Sequence, residues 1–170
     1  MLPARLREYV ASDLDQLCTA GEVVWVGAGS LGARDGRIRL LFRDNAGLLV
    51  PTLDPAPDGP VHAALADHLE RRGASFWSDL VGAAQAAGAD YDDETVLAAL
   101  WDLVWAGYVT NDSLGPLRAF LTGKARRAPG GKGRGRPRPG RLSRLGPAAG
   151  AGRWALVAPL LEPAASPTEA

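Results

Sequence analysis

Residues 92–111, DDETVLAALWDLVWAGYVTN, decide the fold class of this chain. The stretch opens with three acidic residues, and a carboxylate at Asp92 or Asp93 suits the N-cap of a helix and the positive end of its dipole. The apolar residues that follow recur at helical spacing, which predicts a well-packed helix that ends near Ala106 with a glycine directly after it. Residues 108–110 are then predicted to form a short strand.

Two further helices are predicted before this stretch. Residues 60–72 carry apolar residues at a spacing of four, and residues 75–87 follow with Ser75 as the predicted N-cap. Three helices followed at once by a strand is the order of a winged helix-turn-helix domain, placed here at 60–121. Because a lone strand leaves its backbone groups unpaired, residues 153–157 (RWALV) are predicted to complete the wing. The predicted fold class is mainly α with small β (α+β).

The N-terminal part is predicted to be a partial winged helix that precedes the complete one. Residues 1–50 read as the C-terminal half of such a module, a helix over 13–19 followed by a β-hairpin over 22–42. Residues 51–59 hold three prolines and are predicted to be a linker. Residues 158–170 are predicted to be a linker to a missing module, so we expect the chain to be a fragment of a longer protein.

The net charge of zero conceals a strong division along the chain. Residues 1–122 hold 17 acidic and 9 basic residues, whereas residues 123–153 hold ten Lys and Arg and no acid. Residues 122–152 have no apolar period and are predicted to be a disordered basic arm, inserted in the wing. Such a chain can follow phosphates without reading sequence, and the alternative is a solubilising spacer. The predicted nucleic-acid-binding residues are Lys124, Arg126, Arg127, Lys132, Arg134, Arg136, Arg138, Arg141 and Arg144.

The third helix does not look like a base-reading helix. A helix of that kind presents Arg, Lys, Asn or Gln to the groove, whereas residues 92–105 contain four acids and no base. Acids repel phosphates, so DNA contact is expected on the arm. Five tryptophans are predicted to be packing residues, within the domain or against a neighbour: Trp25, Trp77, Trp101, Trp105 and Trp154.

No active site is predicted. The run GGKGRGR at 130–136 follows no strand, precedes no helix and has no Ser or Thr after Lys132, so it does not fit a nucleotide-phosphate loop. His62 and His68 lie on different faces of one predicted helix and cannot share a metal. We therefore expect no catalytic residue, metal or cofactor in this chain. The single cysteine, Cys18, and the absence of any long apolar run or signal peptide favour the cytoplasm and no membrane partner.

Several stretches resemble one protein family. The runs LDQLCTAGEVVWVGAG at 14–29, FWSDL at 76–80, LAALWDLVWAGYVTNDSLGPLRAFL at 97–121 and GRWALV at 152–157 resemble the region that follows the motor in Lhr-type (large helicase-related) bacterial proteins. The resemblance implies an ATP-dependent, single-stranded-DNA-translocating DNA repair helicase whose ATP and Mg²⁺ sites lie in two motor domains. It also implies winged helices after the motor, within an array similar to DNA glycosylases. No part of the motor is visible in this sequence.

Three functional hypotheses remain open. The first is a non-catalytic DNA-binding and scaffolding segment of a large repair helicase, with single-stranded DNA or DNA backbone and the neighbouring domains as partners. The second is a free-standing winged-helix module that binds DNA or protein. The third is a DNA glycosylase-like fragment, which would need a pocket for a flipped base. Whether the chain takes part in catalysis is left open, because only the family implies ATP hydrolysis.

Overall fold

A computed structural model describes residues 10–50, 55–88, 92–123 and 146–161. The N-terminal part contains α1 (Ala11–Thr19), β1 (Val23–Gly32), β2 (Asp35–Phe42) and α2 (Arg43–Leu49). Strands β1 and β2 form an antiparallel hairpin that lies within the predicted range. Helix α2 was not predicted, because its sequence RDNAGLL has no continuous apolar face and buries only Ala46.

The second part has the element order of a winged helix. Its elements are α3 (Pro60–Arg72), α4 (Trp77–Ala86), α5 (Asp93–Trp105), β3 (Val109–Asn111), α6 (Gly115–Leu121), a 3-10 turn (Ala148–Gly150), β4 (Trp154–Leu156) and α7 (Ala158–Leu161). Strand β4 pairs antiparallel with β3, with Thr110 opposite Ala155. Three helices followed by a two-stranded wing, with a helix and hairpin before them, agree with the predicted α+β fold class.

One hydrophobic core serves both parts of the chain. Trp25 of β1 is fully buried and stacks on Trp101 of α5, with 6.5 Å between ring centroids. The Trp25 Nε1–H donates to the carbonyl oxygen of Ser113 at 3.2 Å, and the Thr110 hydroxyl donates to the carbonyl oxygen of Trp25. The residues before and after the predicted linker at 51–59 therefore share one core. The division into modules stays a prediction.

An ion pair also joins the two parts at the surface. Arg118 Nη1 lies 2.6 Å from Asp15 Oδ2, and the other oxygen of this carboxylate accepts from the backbone N–H of Leu114 at 3.2 Å. Asp15 thus holds the start of α6 against α1.

Two glycines allow the hairpin to approach α5 closely. A β-carbon added at Gly27 would lie 1.8 Å from the carbonyl oxygen of Val104, and one added at Gly36 would lie 2.5 Å from the ring of Trp105. No larger residue fits at either position without displacing its neighbour. The hairpin is therefore fixed on the C-terminal end of α5.

The predicted disordered range of 122–152 is wrong at its C-terminal end. Residues 146–152 pack on the core, where Ala149 is fully buried and its carbonyl oxygen accepts from the Trp101 Nε1–H at 3.1 Å. A β-carbon added at Gly146 would lie 2.0 Å from the ring of Trp77. Small residues let this backbone lie directly on tryptophan rings, and such packing leaves no apolar period in the sequence. The rest of the predicted arm, residues 124–145, lies outside the described residues.

The predicted linker over 158–170 is also wrong in its first turn. Helix α7 packs on α2, and Leu160 and Leu161 cover a second small core. The buried members of that core are Val24, Val26, Leu41, Ala46 and Val157. Residues 158–161 form a helical turn in a proline-containing segment, because this turn removes part of the Leu160 and Leu161 side chains from water. Residues 162–170 lie outside the described residues.

One predicted cap is correct and one is wrong. Asp92 caps α5, with Oδ1 accepting from the Thr95 N–H at 2.8 Å, and this hydrogen bond lowers the pKa of the Asp92 carboxyl below its usual value. Ser75 does not cap α4, because its backbone pairs with Trp154 of the wing and its side chain is buried. Phe76 takes the N-cap position instead, and its N–H donates to the carboxylate of Asp79 at 3.0 Å.

The Asp92 cap leads to a pH prediction. Because the folded-state pKa is lowered, the stability from the charged cap is fully present above the ordinary carboxyl pKa of about 3.9 and is lost as the pH falls through the lowered value. Asp92→Asn keeps an oxygen acceptor but does not titrate. We expect the melting temperature of the wild type to fall more steeply than that of the variant below about pH 4. Parallel slopes in thermal melts followed by circular dichroism would contradict the cap, since every other carboxylate is common to both proteins.

Candidate nucleic-acid interface

The exposed face of α5 occupies the position of a recognition helix and is acidic. Its exposed residues are Asp93, Glu94, Thr95, Ala98 and Asp102, and none carries a positive charge. Like charges repel, so this face does not favour the phosphates of a nucleic acid. The usual reading surface of the fold is unsuited to DNA here.

The five tryptophans form the core and are not free to stack on bases. Their exposed fractions are 0% for Trp25, 6% for Trp77, 1% for Trp101, 7% for Trp105 and 0% for Trp154. Trp101 lies at the centre, with Phe120 of α6 stacked on it at 4.2 Å and Trp154 edge-on at 5.8 Å.

The histidines and the cysteine form no catalytic group within the described ranges. His62 Nε2 lies 3.2 Å from Asp102 Oδ2, whereas His68 Nε2 lies 3.1 Å from Ser75 Oγ, so each ring connects two elements. Burial raises the pKa of the Cys18 thiol, and the nearby Asp15 raises it further, so the thiol is held in its unreactive protonated form. Across the described residues, no three His, Cys, Asp or Glu side chains lie close enough together to hold a metal.

The nine predicted DNA-contacting residues of the arm all lie between 124 and 144, outside the described residues. The structure does show where the arm leaves and rejoins the body. It leaves after Gly123, where an added β-carbon would lie 3.0 Å from Arg34 Nη1 of the hairpin. It rejoins at Gly146, which lies against Trp77.

Three further cations, which were not among the predicted DNA-contacting residues, lie on the first hairpin. Arg34 is in the turn between β1 and β2, and Arg37 and Arg39 follow on β2; all three are exposed. Ile38 between them packs on the main core. The sequence did indicate a shared basic face for Arg37 and Arg39, because they are two residues apart on a predicted strand and such residues point to the same side.

Two open grooves flank α4. The first, of about 660 Å³, lies between α4 and residues 146–152. Phe76 borders it, 54% exposed, with the Arg153 guanidinium 5.9 Å from its ring centroid. The second, of about 560 Å³, lies between α3 and α4 beside His68, Arg71 and Arg72.

Comparison with known proteins adds the family. A family model described as "Large helicase-related protein, winged-helix domain" matches residues 1–43. A "Lhr helicase/ probable uracil glycosylase" from Mycolicibacterium smegmatis is 34% identical over 172 residues, 96% of this chain and 11% of that protein. A "Lhr helicase/uracil glycosylase" from Escherichia coli is 33% identical over 123 residues, 71% of this chain and 8% of that protein.

The fold and these similarities define a helicase-associated winged-helix protein. More particularly, the chain belongs to the large helicase-related, or Lhr, family. It spans about a tenth of the length of the curated relatives that it matches. No helix in the described ranges is both long enough and apolar enough to cross a bilayer.

Proposed function

We propose that this chain is a helicase-associated winged-helix segment that holds DNA through sequence-independent phosphate contacts of its basic arm. The observation that carries the proposal is the charge division, ten basic residues and no acid over 123–153 against an acidic remainder. Phosphate contacts supply non-specific affinity for nucleic acid, and positively charged segments can follow the backbone of a single strand.

The acidic face of α5 supports placing this contact on the arm. With Asp93, Glu94 and Asp102 exposed, a strand held near the body is repelled from α5. DNA bound by the arm is thereby kept off the surface that would otherwise read its sequence. The segment suits a protein that moves along DNA of any sequence.

An exposed apolar surface supports a second part of the role, packing against neighbouring domains. Phe42, at the end of β2, is 67% exposed, and Leu48 and Leu49, consecutive in α2, are 86% and 58% exposed. Adjacent exposed apolar residues favour a protein contact. The proposed partners are other domains of a large ATP-dependent DNA repair helicase in the cytoplasm.

Nucleotide and Mg²⁺ binding would then belong to motor domains rather than to this segment. Both curated relatives also carry uracil glycosylase in their names. A uracil-release assay on the purified chain separates the proposed role from an enzymatic one. Release of uracil that a single carboxylate substitution abolishes would replace the proposal by the glycosylase-like alternative.

We expect neutralisation of the arm to weaken DNA binding strongly. The variant replaces all nine arm cations by glutamine and keeps the length of the arm. Since each phosphate contact on a single strand contributes about −0.7 to the slope of log K against log salt, the slope should become shallower by several units. At low salt we expect affinity for an oligothymidine to fall at least about tenfold. Fluorescence anisotropy over a series of salt concentrations measures both quantities.

The structure supplies a matched control and a limit for any deletion. Arg71→Gln with Arg72→Gln removes charge from α3 without touching the arm and should change the slope little. A deletion should remove residues 124–145 only, because residues 146–152 are part of the core. An unchanged slope and affinity in the neutralised variant would mean that the arm is a spacer.

A further inference from the structure

We propose that the first hairpin carries a second phosphate-binding surface, formed by Arg34, Arg37 and Arg39, which takes the backbone of single-stranded DNA. The inference rests on the proposed function for the nature of the partner, because the partner is DNA in both cases. It differs in naming a surface on the folded body that works whether or not the arm does.

The geometry of β2 places Arg37 and Arg39 on one side of the hairpin. Alternate residues of a strand point to opposite faces, so Arg37 and Arg39 share a face while Ile38 points into the main core. Two residues along a strand span about 6.6 Å, which lets neighbouring guanidinium groups reach separate phosphates. Arg34 lies in the turn at the end of the hairpin, where its guanidinium reaches toward Gly123.

The guanidinium groups are free to bind an anion. Among the described residues, the ion pairs are His62–Asp102 and Arg118–Asp15, and no hydrogen bond there engages Arg34, Arg37 or Arg39. The one acid of the hairpin, Asp35, accepts a hydrogen bond from the N–H of Gly36 at 2.8 Å. Three arginines against one aspartate make this hairpin basic within a body that is otherwise acidic. Arg can also grip a phosphate with two hydrogen bonds at once.

The hairpin is a rigid support for such a surface. Val26, opposite Arg39 in the register, is fully buried, and Gly36 lies directly against the ring of Trp105. A surface that is already in place loses less conformational freedom on binding than a free chain does.

Arg34 lies close to the point at which the basic arm begins. Its Nη1 lies 3.0 Å from where a β-carbon of Gly123 would be, at the point where the chain enters the basic arm. A single strand of DNA that the arm binds near Gly123 therefore lies close to the hairpin. The acidic face of α5 disfavours the alternative path over that helix. Because the proposed arm contact already brings DNA to this end of the hairpin, the occupant is a DNA backbone rather than an acidic protein segment.

The test replaces Arg34, Arg37 and Arg39 by glutamine in the full chain and measures oligothymidine binding by anisotropy against salt. Three lost contacts should make the slope shallower by about 2 units and weaken binding at low salt at least about fivefold. Replacement of the same three residues by lysine is the matched control, since it keeps the charge and should keep most of the slope. The exposed side chains make no contacts that the fold needs, so both variants should melt like the wild type.

Four proteins distinguish the two proposals: the wild type, the hairpin variant, the neutralised arm and the combination. If the hairpin variant alone weakens binding, the hairpin surface stands and the arm proposal fails. If the neutralised arm alone weakens binding, the hairpin surface is overturned. The hairpin variant could also bind DNA like the wild type but no longer bind another domain of an Lhr protein. In that case the partner is an acidic protein surface and the proposal is likewise wrong.

Discussion

Trp101→Ala is expected to destabilise the chain by about 3–5 kcal/mol, the range for truncating a buried large aromatic. Trp101 is 1% exposed and contacts four other aromatic rings, Trp25, Trp105, Phe120 and Trp154. The substitution also removes the donor to the Ala149 carbonyl and leaves that buried acceptor unpaired. Because small domains are stable by only about 5–15 kcal/mol, a large fraction of the variant should be unfolded near 37 °C.

Urea unfolding followed by circular dichroism measures the loss. Leu48→Ala is the matched truncation on the surface, at a residue that is 86% exposed, and it should lie within about 0.5 kcal/mol of the wild type. A loss below about 1 kcal/mol for Trp101→Ala would show that the aromatic cluster is not the centre of the core.

Gly27→Ala is expected to be nearly as damaging, although it adds a single methyl group. The new β-carbon would lie 1.8 Å from the carbonyl oxygen of Val104 and 2.7 Å from its carbonyl carbon. Both are backbone atoms of α5, so relief requires the hairpin and the helix to separate. Overpacking of this kind typically costs about 1–3 kcal/mol, and a backbone clash belongs at the upper end or above it.

Gly82→Ala adds the same methyl group but is expected to stabilise the chain. Gly82 lies inside α4, and a β-carbon added there meets nothing within 4 Å. Alanine in a helix interior should stabilise the chain by about 0.5–1 kcal/mol relative to glycine. If Gly27→Ala leaves the urea midpoint unchanged or raises it as Gly82→Ala does, the close approach of β1 to α5 is not present in solution.

The sequence predicted α3, α4, α5 and the two strands of the wing because the signals for each of these elements are local. Pro60 at the start and Gly73 after the end of α3 bound that helix as expected, and Asp92 caps α5 as expected. The pairing of β3 with β4 followed from the need of a lone strand for a partner.

The parts that the sequence did not predict depend on contacts between distant residues. Residues 146–152 contain small residues that pack because Trp77 and Trp101 lie opposite them. No pattern within these seven residues indicates that contact. Helix α7 forms where α2 offers an apolar surface, and α2 itself was missed. For the candidate site, the charge of the arm was visible in the sequence. The basic face of the hairpin needed the observation that Ile38 is turned inward.

The stacking of Trp25 on Trp101 also limits how the molecule can move. A swivel between the hairpin and α5 would expose both indoles, each of which buries about 150–250 Å² in a core. At about 25 cal/mol per Å² this motion costs several kcal/mol, so the open arrangement is rarely populated. Any hinge between such modules must therefore lie elsewhere than between these two elements. The hairpin and the second winged helix turn together as one body.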